Sequence, residues 1–87
     1  MKISRNLDII SSELDGEVCV FDSEKALYYN FNQSASIVWK FIEKPRDFKD
    51  VIQYLCSIYD IEKDSCISQL EIFIKSANEK NIIFIQG

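Results

Sequence analysis

At Asn32 the spacing of apolar residues changes, and that change does most to limit what this chain can fold into. Before it, Leu27, Tyr29 and Phe31 fall on one side of an alternating run and Ala26, Tyr28 and Asn30 on the other, the period of two that a strand imposes. After it, Ala35, Val38, Trp39 and Ile42 recur at three- and four-residue intervals, the stripe of a helix. Asn32 is itself suited to cap the free amides at that helix's start. Strand character before this point and helical character after it segregate sheet from helices, which is an α+β arrangement.

The strands upstream are short. Leu7 to Ser12 reads as an extended segment, Asp15-Gly16 as a turn dipeptide, and Glu17 to Asp22 as a second strand carrying Val18, Val20 and Phe21, so that the two form a hairpin. The polar run Asp22-Ser23-Glu24-Lys25 turns the chain into a third strand, Ala26 to Phe31. Downstream, Pro45 is expected to end the first helix, because the residue before a proline is pushed out of helical geometry. Asp47 can cap a second helix with Phe48, Val51, Ile52, Leu55 and Tyr59 inward. A third helix is expected from about Asp64 to Lys80, with Cys66, Leu70, Phe73 and Ala77 inward and Asn81 closing it in the left-handed conformation. The tail Ile82 to Ile85 is then a terminal strand or a plug. The predicted fold is a three-stranded antiparallel sheet followed by three helices, winged helix-turn-helix-like, as a single domain over residues 1–87.

Composition narrows the chemistry. There is no histidine, which removes Ser-His-Asp and Cys-His arrangements and every His-containing zinc site. The three cysteines, Cys19, Cys56 and Cys66, leave an odd one out, lack Cys-x-x-Cys spacing, and read as reduced core thiols. No metal or cofactor is implied and no enzyme activity is expected. No apolar run approaches the ~20 residues of a membrane span, and the start has no signal-like segment, so a soluble, cytoplasmic protein without a membrane partner is expected. A helix-turn-helix outline raises the alternative of a winged-helix DNA-binding regulator. Against it stand a net charge of −4 and a third helix whose span, Glu62 to Lys80, sets Glu62, Asp64, Glu71 and Glu79 against Lys63, Lys75 and Lys80. No nucleic-acid partner is expected.

Two features point to binding of another polypeptide. Ile67 and Ile74 lie off the third helix's inward stripe, so they form a second apolar surface unless the tail covers them. If strand order follows chain order, Ala26 to Phe31 is a sheet edge with free amides and carbonyls. An edge beside an apolar helix face suits strand addition, with Leu27, Tyr29, Ile67, Leu70 and Ile74 supplying pockets.

The order of these motifs resembles the PqqD-like family. The resemblance runs through Val20-Phe21-Asp22, Leu27-Tyr28-Tyr29-Asn30-Phe31-Asn32 and Ala35-Ser36-Ile37-Val38-Trp39. It continues in Phe48 to Leu55, Tyr59-Asp60-Ile61, Leu70, Phe73, Ile74 and Ile82-Ile83, covering roughly Asp15 to Ile83. What it implies is a recognition element for ribosomally made, post-translationally modified peptides. Such an element holds the leader of a precursor peptide and presents it to a separate modifying enzyme or leader peptidase. The leader would add to the third strand (Ala26, Leu27, Tyr28, Tyr29, Asn30, Phe31) and lie against the third helix (Ile67, Leu70, Glu71, Ile74, Lys75, Asn78). Stand-alone chains of this kind serve quinone-cofactor, radical-enzyme and lasso-peptide systems, and the lasso type is the one expected. Three positions depart from the family pattern: Gln69, often Asp; Ala77, often larger; and Asn81, often Gly.

Overall fold

In the structure, a computed structural model describing residues 1–87, Asn32 stands at the strand-to-helix boundary. Its Oδ1 accepts from the Ala35 N–H at 2.9 Å, satisfying one of the amides a helix start leaves free. The elements run β1 (Lys2–Arg5), β2 (Ile10–Leu14), β3 (Glu17–Asp22), β4 (Leu27–Asn30), α1 (Gln33–Phe41), β5 (Arg46–Asp47), α2 (Phe48–Ile58), α3 (Lys63–Glu79) and β6 (Ile83–Gln86). The three expected strands are β2, β3 and β4, antiparallel in that order. Asp15 and Gly16 both have positive φ, 54° and 83°, and join Leu14 to its register partner Glu17 as a two-residue type I′ turn.

Several expectations need correction. Six strands in two sheets replace one sheet of three, so the winged-helix description is a loose one. The second sheet, β5-β1-β6, brings the two ends of the chain together. β1 has a single apolar residue, Ile3, too little to announce a strand, and Ile3 acquires its meaning by being wholly buried opposite Ile85 of β6. The first extended segment starts later than expected. Asn6 Oδ1 accepts from the Asp8 N–H at 3.0 Å and folds residues 7–8 into a turn, so pairing begins at Ile10. Ala26 is not in its strand either: at φ 54° it ends a turn in which Asp22 Oδ1 accepts from the amides of Glu24 and Lys25. The first helix stops at Phe41, ahead of the residue that Pro45 restricts. The third starts at Lys63 with Glu62 as its N-cap residue, rather than at Asp64.

The end of α3 explains the second sheet. Asn81 sits at φ 59°, the Ile82 N–H donates to the Ala77 carbonyl at 2.9 Å and the Asn81 N–H to that of Asn78 at 3.1 Å, which is a Schellman closure. It reverses the chain, so that the tail becomes β6 beside β1, with Ile82 and Ile83 buried. The core gathers Val18 and Val20 from β3, Val38, Trp39 and Ile42 around α1, Val51, Ile52 and Leu55 from α2, and Cys66, Leu70, Ile74 and Ala77 from α3. Phe31, just past β4, ties three elements together. Its ring meets Trp39 at 5.8 Å and Phe73 at 5.4 Å, both edge to face.

One buried polar contact joins the β2-β3-β4 sheet to α1. Where β4 gives way to the helix, Ser36 Oγ, wholly buried, accepts from the Val18 N–H at 2.8 Å. Ser36→Ala leaves that amide without a partner and should cost about 1–3 kcal/mol. Thermal unfolding checks this: the midpoint should fall by at least about 4 °C, and an unchanged midpoint would mean that the amide finds water instead.

Candidate peptide-binding site

β4 is an edge of its sheet, with β3 on one side and no strand on the other. The Phe31 N–H donates to the Val18 carbonyl at 2.8 Å, and in an antiparallel ladder the direction of pairing alternates. Leu27, Tyr29 and Phe31 therefore turn their backbone groups toward β3. The amides and carbonyls of Tyr28 and Asn30 point outward, into the open edge. Ala26, in the turn, offers no ladder position.

Beside that edge runs α3, and the space between them is a groove of about 520 Å³. Tyr28, Tyr29, Asn30 and Phe31 form its strand side; Phe73, Ser76, Ala77 and Lys80 form its helix side. Past Asn32, Ala35 and Phe73, which border both, the groove meets a more apolar cleft of about 290 Å³. Val38, Leu55, Tyr59, Ile61, Leu70 and Ile72 line that cleft, with Gln69 a polar group at its wall. Groove and cleft together give one channel that starts along a free strand edge and ends among apolar side chains.

The strand half of the anticipated site is thus brought together, with Leu27 exposed at its start. The helix half falls differently. Leu70 reaches the cleft, but Ile74, expected on an open surface, is only 2 % exposed and belongs to the core. Ile67 is half-buried in a separate hollow with Phe48, Ile52 and Cys56. Glu71, Lys75 and Asn78 are solvent-exposed and line neither groove nor cleft. The accessible residues of this helix along groove and cleft are instead Gln69 and Ile72 at the cleft, Phe73 at both, and Ser76 and Lys80 at the groove, turned by roughly one residue, about 100°, from the anticipated face. Ile72, 71 % exposed, is the apolar residue without cover that Ile67 and Ile74 were expected to be. Its signal was present, as an isoleucine outside the inward stripe, but choosing between Ile72 and Ile74 needed the position of β6.

The site holds no obvious nucleophile. Cys66 borders the cleft, and burial, reinforced by its contact with Cys56, pushes its thiol up from the ordinary value, so it stays protonated at neutral pH. The structure gathers no three of His, Cys, Asp or Glu in an arrangement that could hold a metal ion. α3 presents Asp64, Glu71 and Glu79 among its lysines and has no basic face to lay on DNA. No helix is long and apolar enough to cross a membrane.

Comparison with known proteins agrees with this geometry. No curated protein sequence matches the chain. Two solved structures share its fold. One is described as TbiB1 in complex with the TbiA(beta) leader peptide, at 15 % identity and a TM-score of 0.89 over 97 % of this chain and 98 % of that one. The other is a lasso peptide synthetase B1 complexed with the leader peptide, at 18 % identity and a TM-score of 0.84 over 95 % and 98 %. Residues 17–83, from the start of β3 to the start of β6, match the family of coenzyme PQQ synthesis protein D, and the chain belongs to this PqqD family.

Proposed function

We propose that this chain, as one peptide-binding domain, holds the leader segment of a ribosomally made precursor peptide and presents it to a separate modifying enzyme or leader peptidase. The lasso-peptide setting is the one proposed. The observation that carries the reading is the outward backbone of Tyr28 and Asn30 beside the α3 groove. An extended peptide laid along β4 has four backbone groups to pair with there. Its alternate side chains then turn toward Phe73 and Ser76, and the channel continues into the apolar cleft. Two proteins of the same fold whose solved structures hold a leader peptide support the reading.

Binding of this kind needs no reacting group. Each backbone hydrogen bond contributes about 0.5–1.5 kcal/mol net, which ordering a flexible peptide largely offsets. Affinity and choice of leader therefore rest on the side chains that enter groove and cleft. A purified chain incubated with its leader should leave the peptide's mass unaltered; the chemistry is assigned to the partner enzyme.

Two measurements test the site. Ile72→Asp changes an exposed residue at the cleft and should alter stability by less than about 0.5 kcal/mol, while weakening leader binding at least tenfold, or about 1.4 kcal/mol. Ile74→Asp buries a carboxylate and should destabilise the fold by more than about 3 kcal/mol. Denaturant unfolding together with titration calorimetry separates the two, and the reverse pattern would put the leader on another face of α3.

Hydrogen exchange resolved by residue should show the Tyr28 and Asn30 amides exchanging fast in the free protein and slowing markedly with leader bound. The Tyr29 amide, already turned to Val20, should change little. Protection centred on α2 would sink the strand-addition reading.

A further inference from the structure

The two ends of the channel differ in charge. Where α3 finishes, Lys80 reaches back over the groove: its Nζ lies 5.3 Å from the centre of the Tyr29 ring and donates to Ser76 Oγ at 3.0 Å. Lys25 comes in from the β3-β4 turn and donates from Nζ to the Lys80 carbonyl at 3.4 Å. Neither ammonium has a carboxylate within ion-pair distance. The molecule's two ion pairs are the N-terminus with Asp47 and Lys40 with Glu13. In a chain of net charge −4, Lys80 and Lys25 set two ammonium groups close together at the groove mouth, with no carboxylate paired to either. Lys80 is the C-cap of α3, where the negative end of the helix dipole attracts a cation. At the other end the cleft offers apolar walls, with Gln69 as its polar side chain on α3.

We propose, resting on the reading that the groove takes an extended peptide, that the bound peptide carries an Asp or Glu side chain paired with Lys80 and reinforced by Lys25. This carboxylate stands at a fixed distance from the large apolar residue that fills the cleft. Lys80 is separated along α3 from Phe73 by two turns and from Leu70 by nearly three, roughly 10 to 15 Å at 1.5 Å per residue. An extended peptide spans that in about three to five residues at ~3.3 Å each. The specificity of the site is thus a charge and an anchor at set spacing, with Lys80 selecting the charge. A main-chain carboxylate would not serve, because a leader continues into the segment to be modified.

Selection from a displayed library of random 15-residue peptides, free of a terminal carboxylate, against the intact protein and against Lys80→Glu tests this. Peptides enriched on the unaltered protein should carry Asp or Glu about three to five residues from a large apolar residue. Those enriched on Lys80→Glu should keep the apolar residue and carry Lys or Arg at the same place. For one selected peptide, made with an amidated end, changing its acid to the amide should weaken binding about tenfold to the unaltered protein and less than twofold to Lys80→Gln, with the difference shrinking in high salt. Enrichment of apolar residues without an acid would overturn the inference and leave the peptide-binding reading standing. An acid requirement that persists unchanged in Lys80→Gln would also overturn it, by showing that another group meets the charge. Selected peptides that compete with nothing at β4, and bind Ile72→Asp as well as the unaltered protein, would overturn both.

Discussion

The site depends on how Phe31 is held. It is the residue at which β4 ends and the chain turns toward α1, and its ring is met edge to face by Trp39 from α1 and Phe73 from α3. Contacts of this kind contribute about 0.5–1.5 kcal/mol each beyond the apolar area they bury. Their geometric effect matters more here. They place β4 at a set distance from α3, near enough to share a groove and too far apart for the helix to cover the strand's edge. The Ser36 hydroxyl adds to this by accepting the Val18 amide where β4 gives out. An open edge is ordinarily a liability in a small protein, since it invites association with any extended chain. Here β4 is only four residues long, which limits what can pair there.

A second constraint is the reversal after α3. Asn81 in the left-handed conformation lets the chain fold back as β6, which packs against α3, and Ile74 is buried in the core. That packing decides which side of α3 remains free. With Ile74 taken into the core, Phe73 and Ser76 are left facing the groove and Ile72 the cleft. Asn81, where PqqD-like chains often have Gly, reaches the same closure, because Asn tolerates positive φ better than other side chains. The other two departures sit on the channel itself. Ala77 is a small residue at the groove and Gln69 a neutral one at the cleft, so both bear on which side chains the channel accepts.

The electrostatics match a site built for recognition. The buried thiol Cys66 is held in its protonated form, and Arg5 is spent on structure. Arg5 stacks 4.5 Å over the Trp39 ring and donates to the Trp39 carbonyl, with burial drawing its pKa down from the ordinary value. Lys80 and Lys25 are the cations left beside the groove. On the proposed reading, a binding surface of this design gains its affinity from shape and a few charges.

What the sequence by itself determined are the features that act over a few residues. The change of period at Asn32, the Asp15-Gly16 turn, the caps at Asn32 and Asp47, the left-handed Asn81, and the strand through Tyr28 and Tyr29 all follow from local sterics and alternation, which residues carry with them wherever they are placed. The PqqD likeness was legible for the same reason, since those local motifs recur in order. Tertiary structure alone decided the second sheet and the working face of α3. β1 and β5 are too short and too polar to be strands without partners far along the chain. An isoleucine on a helix is core or surface according to what packs on it, so that Ile74 is buried and Ile72 exposed was settled by the elements around α3. Burial belongs to the assembled neighbours, whereas period and capping belong to the chain.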